Sequence, residues 1–543
     1  MLISNGCGNS ENLTDGLFHE NFLPMSNRSY DILFQLIKSL EKAEKRHFKL
    51  YIKRSSAKED LKIVRLFDIL DMQVEYDEKS LLKKLPGTEK RQLYNLKTHL
   101  YKEILASLRL LKRADSLDLQ LNEQFDYAHI LYKKGLFQQS LKILDRAKEI
   151  ARTHQKFYFM VQVVALEKRI ENLHITQSTK NRADILAIEA NEVSHHIDSV
   201  ARLSNLSLQL FSWFTLHGHA RNEKDEAGVK KFMQQNLPAG SHELTGFYEQ
   251  LYLFQSYCMY AFIRQDFLQY YRYAQKYVDL FRSQPLMIRV ETSHYIKGLH
   301  YLLNAHFDLR NYQRFAVTLK EFETFAETSR VQDHDNFRIQ AFVYISTGKI
   351  HQHFMMGTFK EGLKAVSDIE EKLNEYAIFL DQHRIMVLNY KIATLYFGSG
   401  DYSTSIDYLQ KIINVSGELR TDLQCYSRLV HLMAHYELGN YEILESLTKS
   451  VYRFMAKMQN LTVVEEEMFR FIRHSFHYIP AKKLKPELEN FLQKIKHLEK
   501  NRFETRAYAY LDIISWVESK VYAKPMSEII HNKYLQSKRK IIA

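Results

Sequence analysis

Histidine, the side chain most able to hold a transition metal, occurs 24 times in 543 positions. His195 and His196, His217 and His219, and His351 and His353 are close in sequence. Chelation from a helix favours a separation of three or four residues, which puts both rings on one face. These pairs project to different faces, and no His-Glu-x-x-His occurs. They read as structural or surface residues, and no metal is expected. Phosphate cradles fare no better. Gly6-Cys7-Gly8 lies in a polar leader with no strand before it, Gly398-Ser399-Gly400 reads as a turn between helices, and there is no Walker loop. Gly-x-Ser-x-Gly elbows are absent, and Cys258 sits in an apolar run as a small core residue. Glu465-Glu466-Glu467 has no spaced carboxylate partner for acid-base work, so a solvated face is its default meaning. The sequence supports no catalytic residue, no cofactor and no enzyme.

Charge is the next resource. Residues 28–113 hold 21 Lys and Arg against 12 Asp and Glu, most of the chain's net +12. The pattern predicts one helix over about Tyr30 to Lys53, with Leu33, Ile37, Leu40, Phe48 and Tyr51 on its apolar face. Lys38, Lys42, Lys45, Lys49 and Lys53 line the opposite face, with Arg46 beside them. A solvated face is the ordinary meaning of such a stripe. The functional alternative is an anionic partner, nucleic acid included, and binding would then weaken steeply with salt. Glu44 falls inside the apolar stripe, where a carboxylate requires a structural pair with a local Arg, Lys or Tyr.

The elements that would position any site are helices. With only 17 Gly and 7 Pro, the chain lacks the turn residues of a large sheet protein. Its 45% hydrophobic content, including 33 Phe and 34 Tyr, supplies ample core. A second helix of this region is expected over about Glu89 to Lys112, after the break at Pro86-Gly87. Beyond it a short pattern recurs: a turn residue, a small or polar residue, an aromatic, then an amphipathic helix. It stands at Gly135-Leu136-Phe137, Gln265-Asp266-Phe267, Arg310-Asn311-Tyr312, Gly357-Thr358-Phe359, Gly400-Asp401-Tyr402 and Gly439-Asn440-Tyr441. From Phe267 onward the aromatics are 45, 47, 43 and 39 residues apart. The gap of 130 before Phe267 predicts two degenerate turns, near Asn181 and Asn222. In this pattern Gly supplies the left-handed cap that ends the first helix, and Asp or Asn caps the second.

Ala128, Leu131, Gly135, Phe137, Ser140, Leu144 and Ala147, and again Ala393, Tyr396, Gly400, Tyr402, Ser405, Leu409 and Ile412, resemble tetratricopeptide repeats. The unit is longer than the usual ~34 residues and lacks the closing Pro. The resemblance covers roughly Leu121 to Ile495 and implies an all-α fold, an α-α superhelix of long helix pairs. It also implies a scaffold or adaptor that holds a protein or peptide partner in the groove of its first helices. Asn304, His353 and Asn389 are the candidate groove residues. The expected organisation is a flexible leader over 1–27, a basic helical cap domain over 28–113, the repeat array over 114–500, and a closing helix with a frayed basic tail over 501–543. Three scattered cysteines and no signal or membrane span point to a cytoplasmic protein.

Overall fold

In the computed structural model every regular element among the described residues is a helix. Those residues are 31–54, 58–174, 181–415, 417, 419–458, 461–477, 481–499, 501, 503–504 and 510–542. The expected leader and residues 178–180 of the inferred turn at Asn181 lie outside them. No helix of the described residues is long and apolar enough to cross a membrane. The chain divides into two compact units, 1–122 and 123–543. The division falls inside a helix, Leu117–Lys133.

The first unit contains α1 (Ile32–Ser39), α2 (Lys42–Lys53), α3 (Lys58–Met72), α4 (Glu78–Lys84) and α5 (Lys90–Lys112). Leu33, Ile37, Phe48, Phe67, Leu93 and Leu100 are among the side chains of its core. The single helix expected over Tyr30 to Lys53 is two. Leu40 takes an extended conformation, and Glu41 and Glu44 form a reciprocal capping box that starts α2. Glu44 also meets Lys112 of α5 at 2.9 Å, a structural pair of the kind its position requires.

The second unit is a succession of helical hairpins. They are α6/α7 (Leu117–Lys133, Phe137–Thr153), α8/α9 (Phe157–His174, Arg182–His217), then, after a short α10 (Glu223–Asn236), α11/α12 (Phe247–Ile263, Phe267–Ser283). A short α13 (Pro285–Val290) leads to α14/α15 (Thr292–Asp308, Tyr312–Ala326), and α16 (Ser329–Gln332) to α17 (Asp335–Met356). The helix after α17 is interrupted, giving α18 (Phe359–Leu363) and α19 (Val366–Glu375). Then come α20/α21 (Gln382–Ser399, Tyr402–Ile413), α22/α23 (Thr421–Glu437, Tyr441–Lys457) and α24/α25 (Val463–His477, Ala481–Leu498). All six turn residues marked by the pattern, Gly135, Gln265, Arg310, Gly357, Gly400 and Gly439, have positive φ. Asp266, Asn311 and Asp401 accept from the backbone N–H three residues on, capping the helices that follow. Asn181, φ 66°, directly precedes α9, and Asn222 caps α10. In two distant hairpins a buried serine of the second helix donates to an alanine carbonyl of the first, both at 2.8 Å: Ser140 to Ala128 and Ser405 to Ala393.

The chain ends in α26 (Ile513–Val521) and α27 (Met526–Ile542). The tail expected to fray is therefore helical through Ile542. The physical reason is tertiary: Met526, Ile529 and Ile530 are buried, and α27 packs on α17 and α20. His531 Nδ1 donates to the carbonyl of Met356 at 2.9 Å, and Tyr534 packs edge-on against Tyr312. The approach is tightest at Gly357, φ 70°, where a Cβ would lie 2.4 Å from the carbonyl oxygen of Ser527 and 2.7 Å from the amide nitrogen of His531. Gly357→Ala is thus expected to cost roughly 1–3 kcal/mol. Amide hydrogen exchange should speed up first along α27, and unchanged protection there would contradict this docking.

Candidate functional site

The hairpin turns leave the first helix of each pair buried on several sides, so a polar residue on one of them needs a reason. On α14 the polar and aromatic positions Lys297, Tyr301, Asn304 and Asp308 step by four, three and four, which keeps them on one face. Gln340, Tyr344, Thr347 and His351 repeat the same steps on α17. Arg384, Val387 and Lys391 continue the stripe on α20. Together with side chains from α9, α11, α12 and α22 they line one cleft of about 610 Å³, within the ~300–1,000 Å³ range of small-ligand sites.

The floor of the cleft holds groups that folding has left without partners. Lys297 makes no ion pair or hydrogen bond among the described residues; its ammonium faces the rings of Tyr301 and Phe211 at 5.6 and 5.9 Å. Lys391 is likewise without an ion pair and has the Phe307 ring at 6.0 Å. Burial pushes both ammonium groups down to about 8. His351 is buried, stacked on Phe307 at 4.1 Å, and neither ring nitrogen has a hydrogen-bond partner. Asp308 has a buried Oδ2 with no donor, and burial raises its carboxyl to about 7 against the opposing pull of Arg310 and Lys391. His300 stacks on Tyr344 at 3.9 Å and accepts from Asn304 Nδ2 at 3.1 Å. Burial, aided by the charge of Lys297, pushes His300 down to about 3 and His294 to about 4. At neutral pH the imidazoles are uncharged, each able to give one hydrogen bond and take one.

One end of the cleft is closed by a tight polar cluster. Arg420 forks onto Asp422, Nε to Oδ1 and Nη2 to Oδ2, both at 2.8 Å, with each side chain 10% exposed. Tyr510 donates to Asp422 Oδ2 and stacks on Tyr426 at 3.9 Å, and its carbonyl accepts from the Tyr390 hydroxyl. Burial alone would raise the Asp422 carboxyl, but the charge and hydrogen bonds of Arg420 outweigh it and hold it well below the usual carboxylate range.

Of the candidate groove residues, Asn304 lines the cleft. His353 and Asn389 do not: His353 shares a hydrogen bond with Thr358 in the turn after α17, at 2.9 Å, and Asn389 is half-buried elsewhere on α20. Each stands two positions, about 200° of helix, from a residue that does line the cleft, His351 and Lys391. Cys258 is buried in the core with its thiol pushed up by burial. Among the described residues no three His, Cys, Asp or Glu side chains gather closely enough to hold a metal ion.

The lysine stripe of the first unit is divided by the break at Leu40, and part of it is ion-paired. Lys45 meets Asp71 at 2.6 Å, Lys49 meets Asp68 at 2.7 Å, and Lys38 donates to the Asp71 carbonyl. Lys42, Arg46 and Lys53 stay exposed.

A scan against protein-family models finds no match, and neither does a comparison with curated protein sequences. The cleft's own chemistry is what bears on function.

Proposed function

We propose that this chain is a non-enzymatic adaptor, a tetratricopeptide-like superhelix of hairpins that holds a peptide segment of a partner protein against its first helices. One observation supports this most: seven helices, α9, α11, α12, α14, α17, α20 and α22, contribute side chains to a single cleft, and five of them, α11, α14, α17, α20 and α22, come first in their hairpins. Packed helices lie about 8–10 Å apart, so these five offer a wall on the order of 30–40 Å long. That length accommodates about a dozen residues of extended chain. Aromatic rings along the wall give contact area with little conformational entropy to lose, and the unpartnered polar groups supply orientation. The alternative, nucleic-acid binding through the first unit, is less well supported, because Lys45 and Lys49 already have carboxylate partners.

Panning a displayed library of unstructured peptides on the full chain tests the proposal. Enriched peptides should lose at least about tenfold in affinity for Asn304→Trp, which fills the cleft from a half-buried position, while the unfolding temperature stays near that of the parent. Failure of any sequence to rise above background would end the peptide reading.

A further inference from the structure

We infer that the segment held in this cleft is anchored by anionic side chains, carboxylate or phosphoryl, flanked by its own backbone amides, with Lys297 and Lys391 as the receiving groups. The inference rests on the peptide reading above and adds the chemistry of the ligand.

The charges of the cleft are unequal in their partners. Arg384 has Asp381 at 3.6 Å and Arg420 has Asp422 at 2.8 Å, so both guanidinium groups are compensated within the fold. Lys297 on α14 and Lys391 on α20 form no ion pair among the described residues; both face aromatic rings, and Asp308 acts on Lys391 only through its field. The one acid without its own cation in an ion pair is Asp308. Two half-buried cations against one carboxylate leave an excess of positive charge in a partly desolvated space, an arrangement that costs free energy in the empty protein. An anion entering the cleft reverses that cost, and its attraction to both ammonium groups is strengthened by the same low dielectric.

The other unpartnered atoms distinguish a peptide from a bare anion. The Oδ2 of Asp308 is an acceptor without a donor, and a fully deprotonated anion offers it none. A backbone N–H next to the anionic side chain would satisfy it. His351, with both ring nitrogens open, can give one hydrogen bond to a carbonyl or anionic oxygen and accept one from an amide. Phe307 and Tyr344, already stacked on His351 and His300, hold these rings fixed, so the donors and acceptors are set before the ligand arrives.

The test uses the full chain and four pools of acetylated, amidated dodecapeptides with randomised flanks, so that side chains are the only anions. Central positions are fixed as Glu, phosphoserine, Gln or Lys, and binding is read by fluorescence anisotropy. The Glu or the phosphoserine pool is expected to bind at least about tenfold more tightly than the Gln pool, and the Lys pool most weakly. Which of the two anionic pools leads identifies the anion. Lys297→Met and Lys391→Met should each abolish most of that preference, and Lys297→Arg should retain it, with thermal unfolding confirming that each variant is folded. Equal binding of the Glu, phosphoserine and Gln pools overturns the anionic anchor and leaves the peptide reading standing. Absence of binding by every pool, with a Lys297-dependent thermal shift produced by inorganic phosphate or citrate alone, overturns both and assigns the cleft to a free anion. Absence of binding by every pool and by both anions also overturns both.

Discussion

Asp422→Ala is expected to destabilise the second unit by about 3–5 kcal/mol, the cost of leaving one charge of a buried pair uncompensated. Arg420 would keep its guanidinium in a site one-tenth exposed, with both hydrogen bonds to the carboxylate gone. Its backbone cannot relax freely, because Arg420 holds a left-handed φ of 51° immediately before α22. The loss reaches the chain terminus as well. Tyr510 donates to Asp422, so the segment leading into α26 loses an anchor and keeps its stacking on Tyr426 and the bond from Tyr390. Amides of α26 should exchange faster than those of α11 or α12. The pH dependence has a definite sign. A carboxyl held below its unfolded value contributes stability that is fully present above about pH 4 and is lost as pH falls toward its folded value. The gap between parent and variant should therefore be flat from pH 6 to 8 in urea unfolding and narrow only in acid. A variant within 1 kcal/mol of the parent would show that Arg420 finds another partner.

The turns were legible because backbone geometry wrote them into short segments. The pattern marks Gln265 and Arg310 as turn residues although neither is glycine, and both adopt positive φ, 56° and 51°. Their neighbours Asp266 and Asn311 explain why: a capping side chain fixes the start of the next helix, and the preceding residue must accommodate the reversal. The all-helical character followed from composition on equally local grounds. What escaped was set by contacts distant in sequence. The basic tail is a helix because Ile529 and Ile530 dock near the turn at Gly357, and nothing within residues 526–542 announces that surface. The capping box at Glu41 and Glu44 is a signal of the break at Leu40 carried by the local sequence, while the place of Glu44 on an apolar face signals its pair with Lys112. In the cleft the difference is one of register. Lys297, Asn304 and Asp308 share the phase of one helix face, and His351 and Lys391 extend it onto the next two first helices. Asn304 marked that face, whereas His353 and Asn389 were two residues out of phase. A polar stripe continuing at steps of three and four through otherwise apolar first helices is the signal that locates the site.

Lys297→Met and Lys391→Met are expected to act in the opposite direction from Asp422→Ala and stabilise the empty protein. Methionine keeps most of the apolar stem and removes the desolvated charge, leaving the aromatic neighbours in place. Both ammonium groups fall from an ordinary 10.5 to about 8 because burial disfavours the charged form. For Lys297 the neighbouring titratable groups are Cys258 on α11 and His294 and His300 on its own helix. For Lys391 they are Asp308 on α14, His351 on α17, Arg310 in the turn after α14 and Arg420 before α22. The fall sets a ceiling on the order of 3 kcal/mol per lysine. Below pH 8 both folded and unfolded chains carry the proton, and the penalty is fully present. Between about 8 and 10.5 the unfolded chain binds more protons than the folded one, so the parent gains stability as pH rises and the penalty fades. The buried tyrosines, raised above 10 in the folded state, work in the other direction at higher pH, as Tyr270 and Tyr301 do beside the cleft. Comparing parent with variant cancels their contribution. Asp308 titrates lower, near 7 with its penalty complete above that value, so it does not confuse the window from 8 to 9.5. The double variant should therefore unfold several degrees above the parent at pH 7, with the advantage shrinking steadily toward pH 9.5. A fall in unfolding temperature at pH 7 would mean that the two ammonium groups stabilise the empty fold, and the cleft would then be a structural feature and no longer a site kept open for an anion at a cost in stability.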